Sequence, residues 1–221
     1  MSAIYNNNKT GPDNEEKSMI LDHTLGIFTH PDSEWSLIRQ QRRSKLMEYL
    51  THVPILALIP AICFYIGVVH VGWSIAGSPK TTLTAESGLV LCVLSYLAAL
   101  VGVWIFAEFI NWMSRTYSDE ATDQHHGMAL AVYTTAPIFL ASIVGIWPVL
   151  WLNVVVFVLA AAYSVYLIYE GMPIVMNIPK ERAFMYATSV ITVALVLLVS
   201  MRVGTVIVWS AGFGPEYIVH S

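Results

Sequence analysis

Carboxylates and amides stranded in long apolar stretches are the side chains of this sequence best placed to do chemistry, because a polar group in hydrocarbon is costly. Glu108 and Asn111 lie in one such stretch, three positions apart, which sets them one turn apart on the same face of a helix. Such a pair can hold a proton or a small cation against a cavity. Equally, Glu108 is shallow enough to snorkel to the headgroups or to pair with Arg115 or Arg182. Glu170 closes a later stretch and either joins the same cluster or stands as an interfacial charge. Arg202 interrupts the last stretch, where it could neutralise a buried acid, bind a lipid phosphate or mark the end of a shorter span.

Asp119, Glu120, Asp123, His125 and His126 form the densest polar segment. Carboxylates and imidazoles are suitable donors for a divalent metal, and Asp123 and His126 would share a helix face. No HExxH or paired CxxC spacing accompanies them, so a solvated loop without metal is expected. No nucleophile–base arrangement, phosphate-binding loop or cofactor motif occurs elsewhere, so neither an enzyme nor a cofactor is expected. Cys63 and Cys92 both sit in apolar stretches and read as small core hydrophobes.

The elements that must position these groups follow from composition. Of 221 residues, 56% are apolar and 12% charged, and the mean hydropathy is +0.62. A soluble domain is about 45–50% apolar and about 25% charged. Half the expected charge is missing, which excludes a disordered chain and an ordinary cytosolic enzyme. The net charge of −4 leaves no basic footprint for nucleic acid. The fold class is therefore all-α: a polytopic membrane protein with a five-helix transmembrane bundle and an N-terminal amphipathic helix at the interface.

A bilayer core of about 30 Å takes about 20 apolar residues of helix. Such stretches fall at about 50–70, 88–112, 127–147, 149–169 and 183–209, making 50–209 a transmembrane domain. The third and fourth are separated by Gly145, Ile146, Trp147 and Pro148 alone. A single helix through both would be about 65 Å long, twice the membrane. A tight hairpin is required there, with Pro148 in the first turn of the returning helix. Trp147 and Trp151 would then lie at the interface.

Orientation follows the cations. Lys9, Lys17, Arg39, Arg42, Arg43, Lys45, Arg115, Lys180 and Arg182 fall on one side of a five-span topology and Lys80 alone on the other. The N-terminus is thus expected in the cytoplasm and the short tail over 210–221 outside. Residues 1–30 form a polar leader with no early apolar core, so no cleaved signal peptide is expected.

Between leader and bundle, residues 31–49 read as an amphipathic helix that starts at Pro31 and Asp32. Trp35, Ile38, Leu46 and Tyr49 recur at roughly helical spacing. Arg39, Arg42, Arg43 and Lys45 supply a basic face for anionic headgroups. Further on, Gly171 and Pro173 are expected to stop the fourth helix, with Pro179 following. Ile174, Val175 and Met176 are too apolar for a solvated loop and are expected to dip back against the membrane or the bundle.

Several of these residues also carry a family resemblance. Tyr133-Thr134-Thr135-Ala136-Pro137 resembles the Y-x-x-x-P signature of the Yip family of multispan membrane proteins. Tyr166-Leu167-Ile168-Tyr169-Glu170-Gly171-Met172-Pro173, followed by Pro179-Lys180-Glu181-Arg182-Ala183, resembles that family's Y-x-x-Y-L-x-x-x-G-x-P and P-x-E-K-A region. Pro31 to Ile38 is similar to its short P-x-x-x-W segment, so the likeness runs from about 25 to 205. The resemblance implies five spans with a cytoplasmic N-terminus. Eukaryotic members interact with Rab GTPases of the early secretory pathway. This chain is more similar to the compact bacterial branch, for which an inner-membrane location is implied and Rab binding is not.

Two functions compete on this evidence. One is a non-enzymatic membrane organiser that binds lipids, itself or partner proteins. The other is a small transporter or ion-conducting protein that uses Glu108, Asn111 and Glu170.

Overall fold

The computed structural model describes residues 31–40, 44–75, 77–117 and 124–220. The polar leader, Arg42, Arg43, Asp119, Glu120 and Asp123 lie outside the described residues. Five helices are long and apolar enough to cross a membrane: Lys45–Val71, Ala85–Tyr117, His125–Ile146, Leu150–Met176 and Lys180–Gly212.

The amphipathic segment is divided. Helix α1 covers Pro31–Gln40, and Ser44 caps a new helix, its hydroxyl accepting from the Met47 amide at 3.2 Å. That cap makes Lys45 the first residue of α2 (Lys45–Tyr65), so the span read as opening at 50 begins a turn earlier. A π-helical turn over Ile66–Val71 continues α2 to the far end of the bundle. Helix α1 is amphipathic as its spacing implies, with Trp35 and Ile38 buried and Leu37, Arg39 and Gln40 exposed. Its apolar edge packs on the fourth spanning helix. Protein, rather than lipid, covers Trp35.

Helix α3 (Ala85–Tyr117) has 33 residues, about 50 Å at 1.5 Å per residue, so it must tilt or project past the hydrocarbon. Helix α4 (Gln124–Ala141) lies centrally, against α2, α3 and α5 (Leu150–Met176). Pro137 is accommodated inside α4, and a 3₁₀ turn over Ser142–Ile146 leads to the hairpin. Pro148 stands just before Val149, the N-cap of α5, so it precedes the returning helix instead of opening its first turn. Asn153 holds this turn by donating to the carbonyls of Trp147 at 2.8 Å and Val149 at 3.0 Å. Trp147 and Trp151 are exposed at this turn.

The fourth helix does not stop at Gly171 and Pro173. It runs to Met176 and ends at Asn177, which takes the left-handed conformation (φ 53°, ψ 48°) and donates its amide to the Pro173 carbonyl. Proline removes one donor inside the helix but leaves its carbonyl free to cap the end. Val175 and Met176 are buried core residues, which explains the apolar run. Pro179 then caps α6 (Lys180–Val208). Helix α6 packs on α5 and α3.

The tail is also tied down. Strand β1 (Lys80–Leu83) pairs antiparallel with β2 (Tyr217–His220), Lys80 opposite His220 and Leu83 opposite Tyr217. Thr82 Oγ1 meets His220 Nε2 at 3.0 Å, and the Trp73 and Tyr217 rings meet edge to face. The first interhelical loop and the C-terminal segment therefore occupy the same end of the bundle, which an odd number of crossings requires.

Candidate functional site

Polar residues collect at the opposite end, where α1 docks. Lys45 at the start of α2 forms an ion pair with Glu108 of α3. The Lys45 ammonium also lies 4.8 Å from the centroid of the Trp104 ring. This answers one expectation: among the described residues Glu108 takes Lys45, rather than Arg115 or Arg182, as its ion-pair partner. The cause is the Ser44 cap, which places Lys45 in the first turn facing α3.

Glu108 and Asn111 share a helix face and differ in their surroundings. The Glu108 side chain is 46% exposed at the rim of the bundle. Asn111 packs on the first turn of α4, where a Cβ on Gly127 would come within 2.0 Å of Asn111 Oδ1. Glu170 is half-buried on α5, one residue before Gly171. Arg202 lies on the exposed face of α6 with no ion-pair partner among the described residues. Arg39 is exposed on α1. Of the two histidines, His125 is buried, while His126 is more accessible and its Nε2 lies 3.4 Å from the Arg39 carbonyl.

The structure assembles a group that the sequence reading passed over. Glu48 and His52 lie at i and i+4 in the first turns of α2, 1% and 2% exposed. His52 Nδ1 is 2.9 Å from the Glu48 carbonyl and 3.6 Å from Glu48 Oε1. Its Nε2 is 3.3 Å from the Tyr133 hydroxyl on α4. The Trp35 ring of α1 then meets Tyr133 edge to face at 6.3 Å between centroids. Trp35 itself lies against α5 at Gly171. Four elements thus meet through Glu48, His52, Tyr133, Trp35 and Gly171.

This group is poorly solvated. Both Glu48 carboxylate oxygens and Trp35 Nε1 are buried without a hydrogen-bond partner among the described residues. The signal was available in sequence as an acid and an imidazole four positions apart at the head of an apolar helix. It was hidden because Glu48 fell in the segment assigned to the amphipathic helix and His52 in the span.

Comparison with known proteins locates the same region within a recognised domain. The Yip1 domain matches residues 25–201. The chain belongs to the Yip1 domain family. The matched part of this Yip1 domain protein includes α1, Glu48, His52, Tyr133 and Gly171, whereas Arg202 and β2 lie beyond it. The chain is 34% identical over 193 residues to "Inner membrane protein YohC" of Escherichia coli (strain K12), covering 87% of this chain and 98% of that protein. The protein of the same name from Escherichia coli O6:H1 (strain CFT073) is similar to the same extent. No solved structure matches it.

Proposed function

We propose that this Yip1 domain protein is a non-enzymatic organiser of the inner membrane, working through contacts with lipids, with itself or with membrane-protein partners. Its N-terminus is cytoplasmic and its tail outside, because nine of its cations then lie on the cytoplasmic side and Lys80 alone faces outward. The end at which α1 docks is therefore the cytoplasmic end. The inner-membrane assignment draws on its relatives, which are named inner membrane proteins.

The observation that carries this reading is the Lys45–Glu108 pair. The acid best suited by sequence to ion transport is spent on a cation at the rim of the bundle. Asn111 is spent on helix packing against Gly127. In this reading Arg39, Arg42, Arg43 and Lys45, close together in sequence, supply cations for anionic headgroups. The large exposed apolar faces of α3 and α6 are left to lipid or to another membrane helix.

Two measurements on the full chain test the proposal. Native mass spectrometry from lipid nanodiscs, with in-membrane crosslinking, is expected to show bound phospholipid, a homo-oligomer or a defined partner. A lone, lipid-free species would overturn it. Liposome flux is expected to stay at background for the wild type and for Glu108→Gln, and flux lost in that variant would establish the transport reading instead.

A further inference from the structure

Glu48 and His52 are not accounted for by an organising role. The His52 ring has its Nδ1 beside the Glu48 carbonyl and its Nε2 beside the Tyr133 hydroxyl. A carbonyl only accepts, so Nδ1 carries a hydrogen, and a neutral ring then accepts from Tyr133 at Nε2. Beside that neutral ring, a bare Glu48 carboxylate would be a buried charge without compensation, which is costly. One proton removes the problem wherever it sits. A neutral acid beside a neutral imidazole and a carboxylate beside an imidazolium are both without net charge.

We propose that Glu48 and His52 form an internal proton-binding site, closed by Trp35, and that docking of α1 is coupled to its occupancy by a single proton. The donor set argues for a proton over a metal. One carboxylate and one imidazole fall short of the six to eight oxygens that calcium takes and the three or four protein ligands that zinc takes.

Among the described residues no other hydrogen bond or ion pair reaches the Glu48 carboxylate. On α2 itself, Lys45 is held by Glu108 and the Tyr49 hydroxyl donates to the Leu100 carbonyl. From α3 come Glu108, paired with Lys45, and Tyr96, whose hydroxyl donates to the Pro54 carbonyl. Helix α4 contributes Tyr133, His125 and His126, whose Nε2 lies 3.4 Å from the Arg39 carbonyl; α5 contributes Glu170 beside Gly171; and α1 contributes Glu34 and Arg39. Among the described residues His52 is the only ion-pair partner of Glu48.

A second proton on the pair leaves one buried positive charge, and loss of the first leaves one negative charge. Either charge is relieved by admitting water, and α1 is the element best able to move. It has 10 residues, and among its described side chains only Trp35 and Ile38 are buried. Short elements with few buried contacts open first.

The test is amide hydrogen exchange of residues 31–40 in the full chain in lipid nanodiscs, from acid to mildly alkaline pH, corrected for intrinsic exchange. The wild type is expected to be most protected in a middle window. Opening should rise on both sides, approaching about tenfold per pH unit, the limit for one linked proton. Glu48→Gln should lose the alkaline rise and keep the acid one. His52→Gln should lose the acid rise and keep the alkaline one. The double variant should be flat. A flat wild-type profile, or both rises persisting in either single variant, would overturn the proposal. Because each variant removes a different limb, a folding failure in one leaves the other decisive.

Discussion

The indole of Trp35 lies directly on the backbone of Gly171. A Cβ added at Gly171 would come within 2.6 Å of Trp35 Cε2 and 2.8 Å of Cζ2, closer than real Cβ contacts allow. A glycine inside a helix costs about 0.5–1 kcal/mol relative to alanine. Here it lets a fully buried tryptophan join α1 to α5. Gly171→Val should therefore undock α1 at a cost of about 1–3 kcal/mol, the usual range for an overpacked contact. Faster exchange over residues 31–40 with an unchanged spanning region is the expected result. Wild-type protection in the variant would mean that α1 does not dock there.

The ion pair at the rim predicts a small coupling. Lys45 and Glu108 have side chains 16% and 46% exposed, so solvent screens them and the pair contributes about 0–1 kcal/mol. Lys45→Glu and Glu108→Lys should each lower the melting temperature in detergent, and the double reversal should recover most of the loss. Failure of the double variant to recover would show that the two side chains do not meet.

Asn177 marks the true end of the fourth helix. Its left-handed backbone suits glycine and asparagine and penalises a β-branched side chain. Asn177→Gly should change stability by only a few tenths of a kcal/mol. Asn177→Val should cost about 1–2 kcal/mol. Equal melting temperatures for the two variants would place the helix end elsewhere.

The five spans were legible because hydrocarbon imposes length and composition directly: all five expected stretches fall inside observed helices or their terminal turns. Helix ends were less legible. Gly171 and Pro173 carry the local marks of a stop, yet a tertiary contact claims the glycine, and the Pro173 carbonyl accepts from the Asn177 amide to close the helix one turn later. The β1–β2 pairing was hidden because its strands, at 80–83 and 217–220, lie far apart in sequence. The Glu48–His52 pair was hidden because the boundary drawn at 49–50 put its two residues in different elements. Conversely, Glu108 stood out by hydropathy and proved to be a rim residue. Depth within a bundle is set by helix rotation, which a hydropathy window does not record.

The sheet offers a covalent check on topology. Thr81 and Val219 are register partners in the antiparallel pair. Cysteines at such positions have Cβ atoms about 4.5–5.5 Å apart, near enough to bridge with a small adjustment. Thr81→Cys with Val219→Cys should crosslink under mild oxidation and join the first loop to the tail. Efficient crosslinking absent from both single variants is the expected result, and no crosslink in the pair would separate the two segments.

Single cysteines at Ser33 and Glu216, tested in intact cells and after permeabilisation with a membrane-impermeant maleimide, address the five-span arrangement most directly. Both positions are described, Ser33 exposed on α1 and Glu216 beside β2. The cysteine at 216 should label in intact cells, and that at 33 only once the inner membrane is opened. Labelling of both under the same condition would put the two ends in one compartment and contradict an odd number of crossings.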